Sequence, residues 1–304
     1  MKYFKALDLI GKTPIVKLNK VVDATEMADI YIKLEGLNLT GSVKARAAYG
    51  MITGAENEGI LKPGMTLVEP SSGNTGIALA LIGKMKGYSV TIVMPETMSV
   101  ERRNIIKAYG ANLILTEGGK GMSGAIEEAS KLAENDTYYM PQQFKNKYNA
   151  WIHYETTSEE ILIDMPVLDA FVATVGTGGT VSGVGKKLKE VRQSVEIIAV
   201  EPLESSVLSG NSPGPHKIQG IGAGFKPDVL ALDVIDRVLT VSSEEAYEMT
   251  RQLFVKEGLF LGISSGAAVV AAIETAKRLG PGKVVLTLSP DSGEKYISSQ
   301  VFTE

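Results

Sequence analysis

The sequence contains no cysteine, which excludes disulfides, thiolate metal sites and a cysteine nucleophile. Its two histidines, His153 and His216, lie far apart in sequence. Neither stands in a His-x-x-x-His or carboxylate-rich spacing, so no metal is expected. No apolar run approaches the length of a membrane span. The opening Met1-Lys2-Tyr3-Phe4-Lys5-Ala6-Leu7 has neither the apolar core nor the cleavage signal of a secretory leader. Positive charge is not in excess: 31 Lys and Arg against 35 Asp and Glu leave a net charge of −4, which argues against nucleic acid and anionic membranes as partners. No complete Walker pattern is present. These absences leave a soluble cytoplasmic enzyme as the default class. A chain of 304 residues, 44% hydrophobic, is long enough for a large core and two lobes.

What the chain does have is a series of small-residue loops, each set between an apolar strand and a helix. The central one is Gly176-Thr177-Gly178-Gly179-Thr180. Before it, Phe171-Val172-Ala173-Thr174-Val175 reads as a buried parallel strand; after it, Val181 to Leu188 opens a helix. Backbone N–H groups at such a helix N-terminus, with two threonine hydroxyls, suit a phosphate. The same glycines would also serve a plain tight turn. The third glycine of a dinucleotide fingerprint would fall on Val181, so that fingerprint fails. Glu201, ending the run Ile197-Ile198-Ala199-Val200, still stands where an acid could grip a ribose. The phosphate belongs either to a nucleotide or to a smaller cofactor.

Two further loops share this character. Ser71-Ser72-Gly73-Asn74-Thr75 follows the strand Met65 to Glu69 and precedes an apolar helix from Ile77, offering hydroxyls, an amide and backbone N–H groups to a carboxylate. A simple cap and turn would look the same. Gly262-Ile263-Ser264-Ser265-Gly266 precedes another apolar helix, and either serine could be only a cap. Lys44 starts a helix beside Val43, Ala45 and Ala47. A cation there is disfavoured by the helix dipole, and a partly desolvated lysine has a depressed pKa and a nucleophilic amine. A surface lysine is the plain alternative.

Strand–loop–helix alternation runs along the chain. Asp29 to Glu35 reads as a half-exposed strand, Ser99 as the cap of a helix, and strands fall near 171–175, 196–200 and 284–288. Residues 141–150 form a polar, aperiodic seam, and 205–227 a long loop rich in Gly, Pro and Ser. The expected fold is α/β: two doubly wound lobes with parallel sheets, helices on both faces, and a ligand cleft between them. The expected division is 36–149 for a smaller lobe and 1–35 plus 150–304 for a larger one.

Seven motifs, in order, resemble the cysteine synthases, or O-acetylserine sulfhydrylases, which are pyridoxal-phosphate enzymes of fold type II, tryptophan synthase β-like. They are Gly41-Ser42-Val43-Lys44-x-Arg46, Glu69-Pro70-x-Ser72-Gly73-Asn74-Thr75-Gly76, Met94-Pro95-Glu96-Thr97-Met98-Ser99, the loop at 176–180, His216-Lys217-Ile218-Gln219-Gly220-Ile221-Gly222, Gly262-Ile263-Ser264-Ser265-Gly266 and Pro290-x-Ser292-Gly293-Glu294. The resemblance runs from about Leu9 to the C-terminus. It implies that pyridoxal 5'-phosphate is held on Lys44. Gly176, Thr177, Gly178, Gly179 and Thr180 would bind its phosphate, Asn74 the ring hydroxyl and Ser264 the ring nitrogen. Ser71, Ser72, Gly73, Thr75 and Gln143 would receive the substrate carboxylate, with Gly220 lining the cleft.

The reaction implied is β-replacement: O-acetyl-L-serine and sulfide give L-cysteine and acetate through an aminoacrylate, with Lys44 moving the Cα proton. A homodimer and the C-terminal tail of a serine acetyltransferase are the partners implied. Leu39 stands where the family commonly has proline and Ala45 where aspartate is usual, which bears on loop shape and local charge. O-phosphoserine sulfhydrylase, cystathionine β-synthase and serine dehydratase share the lysine and the phosphate cradle. A nucleotide-binding dehydrogenase built on residues 176–179 and Glu201 is the rival from another class, and a catalytically silent cofactor binder a third.

Overall fold

The computed structural model describes residues 2–23, 25–299 and 301–302. Its strands are β1 (Ile15–Lys17), β2 (Asp29–Leu34), β3 (Thr66–Pro70), β4 (Ser89–Pro95), β5 (Asn112–Thr116), β6 (Tyr138–Tyr139), β7 (Ala170–Thr174), β8 (Glu196–Pro202), β9 (Arg237–Val241) and β10 (Val284–Ser289). Its α-helices are α1 (Lys44–Asn57), α2 (Asn74–Met85), α3 (Val100–Ala108), α4 (Gly121–Ala133), α5 (Lys147–Ile152), α6 (Ser158–Asp164), α7 (Gly179–Val191), α8 (Ser243–Glu257) and α9 (Ile263–Leu279). A π-helical turn, His153–Thr157, joins α5 to α6. The chain divides into two compact units: Met1–Ile10 with Lys44–Asn149, and Gly11–Val43 with Ala150–Glu304.

The first unit carries a sheet in the order β5-β4-β3-β6, parallel throughout. Successive side chains of a strand face opposite ways, and the apolar residues of β3 and β4 serve both faces. Leu67 and Ile92 join Ile52, Ile77, Leu79 and Ile82 of α1 and α2 in one core. Val68 and Val93 pack on Ala125 and Ala129 of α4 in another. Near-continuous hydrophobic strands are what a parallel sheet covered on both sides requires.

The second unit carries the order β1-β2-β10-β7-β8-β9. Its strands are parallel apart from the edge strand β1, which runs antiparallel to β2. Here too the strand residues sort by parity. Val172, Ile198 and Val285 pack with Leu253, Ala267 and Ala271 of α8 and α9. Phe171, Ile197 and Leu286 pack with Ile161 of α6 and Val181, Val184 and Leu188 of α7. Each sheet is thus doubly wound, as the alternation in the sequence implies.

Local expectations fare unevenly. Ser99 caps α3, its Oγ accepting the N–H of Arg102 at 3.4 Å. The half-exposed reading of residues 29–35 does not hold: Lys33 is fully buried. β2 lies between β1 and β10, and the ammonium is compensated by the Thr13 carbonyl and the Glu160 carboxylate, both at 2.8 Å. The seam at 141–150 gives way at residue 147 to α5. The loop at 205–227 is free of helix and strand beyond Ser205, the last residue of the 3-10 turn Leu203–Ser205, and β6 and β9 have no counterpart among the expected strands.

Candidate active site

In the second unit, the turn between β7 and α7 is built from backbone. Gly178 has φ +84°, a left-handed conformation that favours glycine, and a Cβ there would lie 2.8 Å from a Leu230 methyl. A Cβ on Gly176 would lie 2.4 Å from the carbonyl oxygen of Gly220. The turn therefore has no room for side chains at these two positions. What it presents is the N-terminus of α7, whose first N–H groups have no intrahelical acceptor and carry the positive end of the helix dipole. Thr177 Oγ1 accepts the N–H of Gly179 at 3.3 Å. Thr180 Oγ1 lies 3.3 Å from His153 Nε2, and His153 Nδ1 lies 2.8 Å from Thr157 Oγ1. Gly220 is held against this turn, since the N–H of Gly222 donates to the Val175 carbonyl at 3.0 Å.

The nucleotide alternative loses its acid here. Glu201 is buried and already committed: its carboxylate accepts the N–H groups of Leu208 and Ser209 at 2.7 and 2.8 Å and the Ser209 hydroxyl at 2.7 Å. It anchors the start of the long loop. Val181, at the position of the missing glycine, is buried in the core under α7.

In the first unit, β3 ends at Pro70 and α2 begins at Asn74. Between them Ser71 turns inward, its Oγ accepting the N–H of Gly76 at 3.0 Å and of Gly73 at 3.4 Å. Thr75 Oγ1 donates to Gln143 Oε1 at 2.6 Å, so two of the expected carboxylate ligands, distant in sequence, meet. The backbone of that second segment is gripped by Glu69, whose carboxylate accepts the N–H of Gln142 at 2.9 Å and of Gln143 at 3.0 Å. Burial pushes the Glu69 carboxyl up to about 7, against the opposing pull of those two bonds. Arg102 Nη1 donates to the Ser72 carbonyl at 3.1 Å, placing a guanidinium at the same loop. Lys44 is the first residue of α1, half-buried between buried Val43 and Ala45. Helix α1 packs on α2. Ala45, where the resemblance leads one to expect aspartate, is fully buried.

Ser264 and Ser265 lie on the first turn of α9, both buried; Gly262, not a serine, occupies the N-cap. Ser265 Oγ is 2.9 Å from Ser289 Oγ. The segment after β10 braces this turn: Gly262 N–H donates to the Asp291 carbonyl at 3.0 Å, and Leu261 bridges Ser292. The same segment braces the loop ahead of Lys44. Val43 N–H donates to the Pro290 carbonyl at 2.8 Å, Ser42 bridges Asp291, and Lys295 Nζ donates to the carbonyls of Thr40 and Gly41 at 3.1 and 3.0 Å. The sequence alone assigns no site role to Glu69, Arg102, His153 or Lys295. For Glu69 a signal was there to read: an acid at the end of an otherwise apolar strand needs partners.

Comparison with known proteins gives this geometry its context. Residues 6–291 match the family model for pyridoxal-phosphate dependent enzymes. The cysteine synthase of Staphylococcus aureus is 52% identical over 297 residues, covering 97% of this chain and 96% of that protein. The probable cysteine synthase of Bacillus subtilis is 49% identical over 302 residues, with the same coverage of both chains. The crystal structure of the cysteine synthase of Entamoeba histolytica superposes with a TM-score of 0.97 at 43% identity, over 100% of this chain and 92% of that one. The cofactor of these enzymes is pyridoxal 5'-phosphate, and the side-chain-free turn at the N-terminus of α7 fits its phosphate. By sequence match along nearly its whole length and by fold, the chain belongs to the cysteine synthase family of pyridoxal-phosphate-dependent enzymes.

Proposed function

We propose that this chain synthesises cysteine by β-replacement, exchanging the acetoxy group of O-acetyl-L-serine for sulfide and releasing acetate. The observation that carries the reading is 52% identity to a cysteine synthase along 97% of the chain. Pyridoxal phosphate supplies an electron sink that makes Cα–H acidic and lets a β-substituent depart. The chain's own residues do the rest. Lys44 would hold the cofactor on its amine and, once the amino group of the substrate has displaced that amine, would take the proton from Cα. Gly176, Thr177, Gly178, Gly179 and Thr180 hold the phosphate, Asn74 bonds the ring hydroxyl and Ser264 the ring nitrogen. Ser71, Ser72, Gly73, Thr75 and Gln143 would receive the substrate carboxylate, with Gly220 lining the cleft. This reading divides labour between residues 36–149, which take the amino acid, and 1–35 with 150–304, which take the phosphate.

The test is direct. Purified protein loaded with pyridoxal phosphate should absorb in the visible, change its spectrum on adding O-acetylserine, and form cysteine when sulfide follows. No cysteine from this pair overturns the reading. O-phospho-L-serine belongs in a parallel assay, because Arg102 reaches the Ser72 carbonyl and a guanidinium there could meet a phosphate. No described helix is long and apolar enough to cross a membrane, which is compatible with the cytoplasmic setting of this reading. The reading also carries a homodimer and docking of a serine acetyltransferase C-terminal tail. Sedimentation and binding of a tail peptide test these two separately.

A further inference from the structure

We propose that Glu69 is a positioning residue for amino-acid binding: its buried carboxylate clamps the turn at 142–143 so that Gln143 stays locked to Thr75. The proposal rests on the reading that Thr75 and Gln143 receive a carboxylate. Glu69 is 2% exposed at the end of β3. Its two oxygens divide between two successive N–H groups, Oε2 taking that of Gln142 at 2.9 Å and Oε1 that of Gln143 at 3.0 Å. Gln142 has φ +56°, a left-handed conformation that a residue with a side chain adopts only under restraint. The clamp supplies part of that restraint, beside the N–H groups of Lys145 and Asn146, which donate to the Gln142 carbonyl at 2.9 and 3.0 Å. Beyond the turn, Asn149 Nδ2 holds the Gln143 carbonyl at 2.8 Å. The Gln143 side chain then accepts from Thr75 Oγ1 at 2.6 Å. With Oε1 so occupied, the Nε2 hydrogens are what Gln143 has to donate; Thr75, its hydroxyl proton spent on Gln143, has its backbone N–H in the first turn of α2, and donors are what a carboxylate ligand needs.

A carboxylate buried on two amides alone is costly, and the chain retains it with an elevated pKa, about 7. Protonating one oxygen takes an acceptor from one of the two N–H groups, so the clamp weakens as pH falls through that value. A titratable neighbour is Tyr139 of β6, its pKa raised first by burial, drawn back by the Asn146 hydrogen bond and raised further by the charges of Glu69 and Glu58, with a net rise that keeps it neutral across this range. Its hydroxyl accepts from Asn146 Nδ2 at 3.2 Å.

The experiment uses the cofactor-loaded enzyme and Glu69→Gln, which keeps size but offers one acceptor in place of two. L-serine is the binding probe, followed by visible absorbance; O-acetylserine turnover and amide exchange at Gln142 and Gln143 are measured alongside. The expected result is a rise of about tenfold in the L-serine Kd and the O-acetylserine KM, the scale of one charge-assisted hydrogen bond. kcat should change by less than about twofold, and exchange should quicken at 142 and 143 with the rest of the sheet unaffected. Unchanged Kd and KM overturn the proposal, as does faster exchange without a change in Kd. So does a wild type that does not bind L-serine. Should Glu69→Gln fail to fold, the wild type decides. Protection at 142 and 143, corrected for intrinsic rates, should fall as falling pH protonates Glu69; protection that stays flat down to the pH at which the fold itself opens overturns the clamp. A wild type that binds L-serine but makes no cysteine from O-acetylserine overturns the reaction assignment, and the binding and exchange arms still decide Glu69.

Discussion

Ser264 is buried on the first turn of α9, where the positive end of the helix dipole faces outward. A positive potential disfavours protonation of a ring nitrogen placed there, and a hydroxyl is far too weak an acid to supply the proton. Ser264→Ala should therefore slow turnover only modestly, since one hydrogen bond is worth about 1 kcal/mol. Ser264→Asp adds a carboxylate that favours protonation. β-Elimination, and with it β-replacement, should fall and transaminated cofactor should rise; full turnover with a clean product ratio would remove Ser264 from the ring nitrogen. Glu69 makes a second claim at this scale. Its folded pKa, about 7, stands above the ordinary 4.5. The folded state thus holds a proton the unfolded chain has released, and stability falls as pH rises from about 4.5 through about 7. The loss is on the order of 3 kcal/mol. Urea unfolding at pH 5 and pH 8 should show a shallower fall in Glu69→Gln than in wild type, and equal slopes would refute the shift. Gly178 makes a third. Gly178→Ala meets both a strained φ and Leu230, and should cost roughly 1–3 kcal/mol together with a large loss of cofactor affinity. A variant that binds pyridoxal phosphate as tightly as wild type would show that the turn can relax.

Among the elements, the helices show why the sequence was legible in some places and not in others. Apolar strands followed by small-residue turns announced β3, β7 and the helices α2 and α7, because a parallel strand buried on both faces has to read as a continuous hydrophobic run. β9 carries no such signal, lying at the edge of its sheet with Arg237 exposed. The two-residue β6 is too short to show a period. The helical stretch from 147 to 164 hid its pattern behind a π-turn, where the register of the buried face slips by a residue. Helix α7 packs closely on this stretch: a Cβ on Gly183 would stand 2.1 Å from the Ala150 carbonyl oxygen and 2.8 Å from His153 Cβ. Gly183→Ala should destabilise the protein by several kcal/mol, in the range of severe overpacking, with thermal unfolding as the measure. β2 misled for a different reason. Alternation marks a solvated face only when the polar residues are free to reach water, and Lys33 reaches Glu160 instead. Removing one partner strands the other, so Glu160→Ala should cost roughly 3 kcal/mol, whereas a double replacement with Lys33→Met should recover much of it. A double-mutant cycle with no coupling would mean that the pair is idle.

At the scale of the molecule, the candidate site was legible where chemistry demands small residues and hidden where it depends on support. The phosphate turn and the Ser71–Thr75 stretch could be found because glycine, serine and threonine between a strand and a helix are informative in themselves. Their supports, Glu69 under the 142–143 turn and the segment after β10 under two loops at once, depend on contacts far apart in sequence, which periodicity cannot report. The order of strands has one more consequence. β10, residues 284–289, lies between β2 and β7 rather than at an edge. During synthesis, β2 emerges early and the phosphate turn follows, but the strand that joins β2 to β7 arrives long after both. The first unit, with its own sheet complete by residue 149, has all its strands in hand much sooner. A nascent chain arrested before Val284 should therefore resist protease across Lys44–Asn149 while the strands of the second unit are cut readily, and release of the arrest should protect them. Equal protection of both before Val284 would contradict this. In the living cell the chain would pass from residue 180 to residue 284, about a third of its translation, with the phosphate turn made and its parent sheet open, an interval in which the exposed edges of β2 and β7 invite chaperones or misassembly.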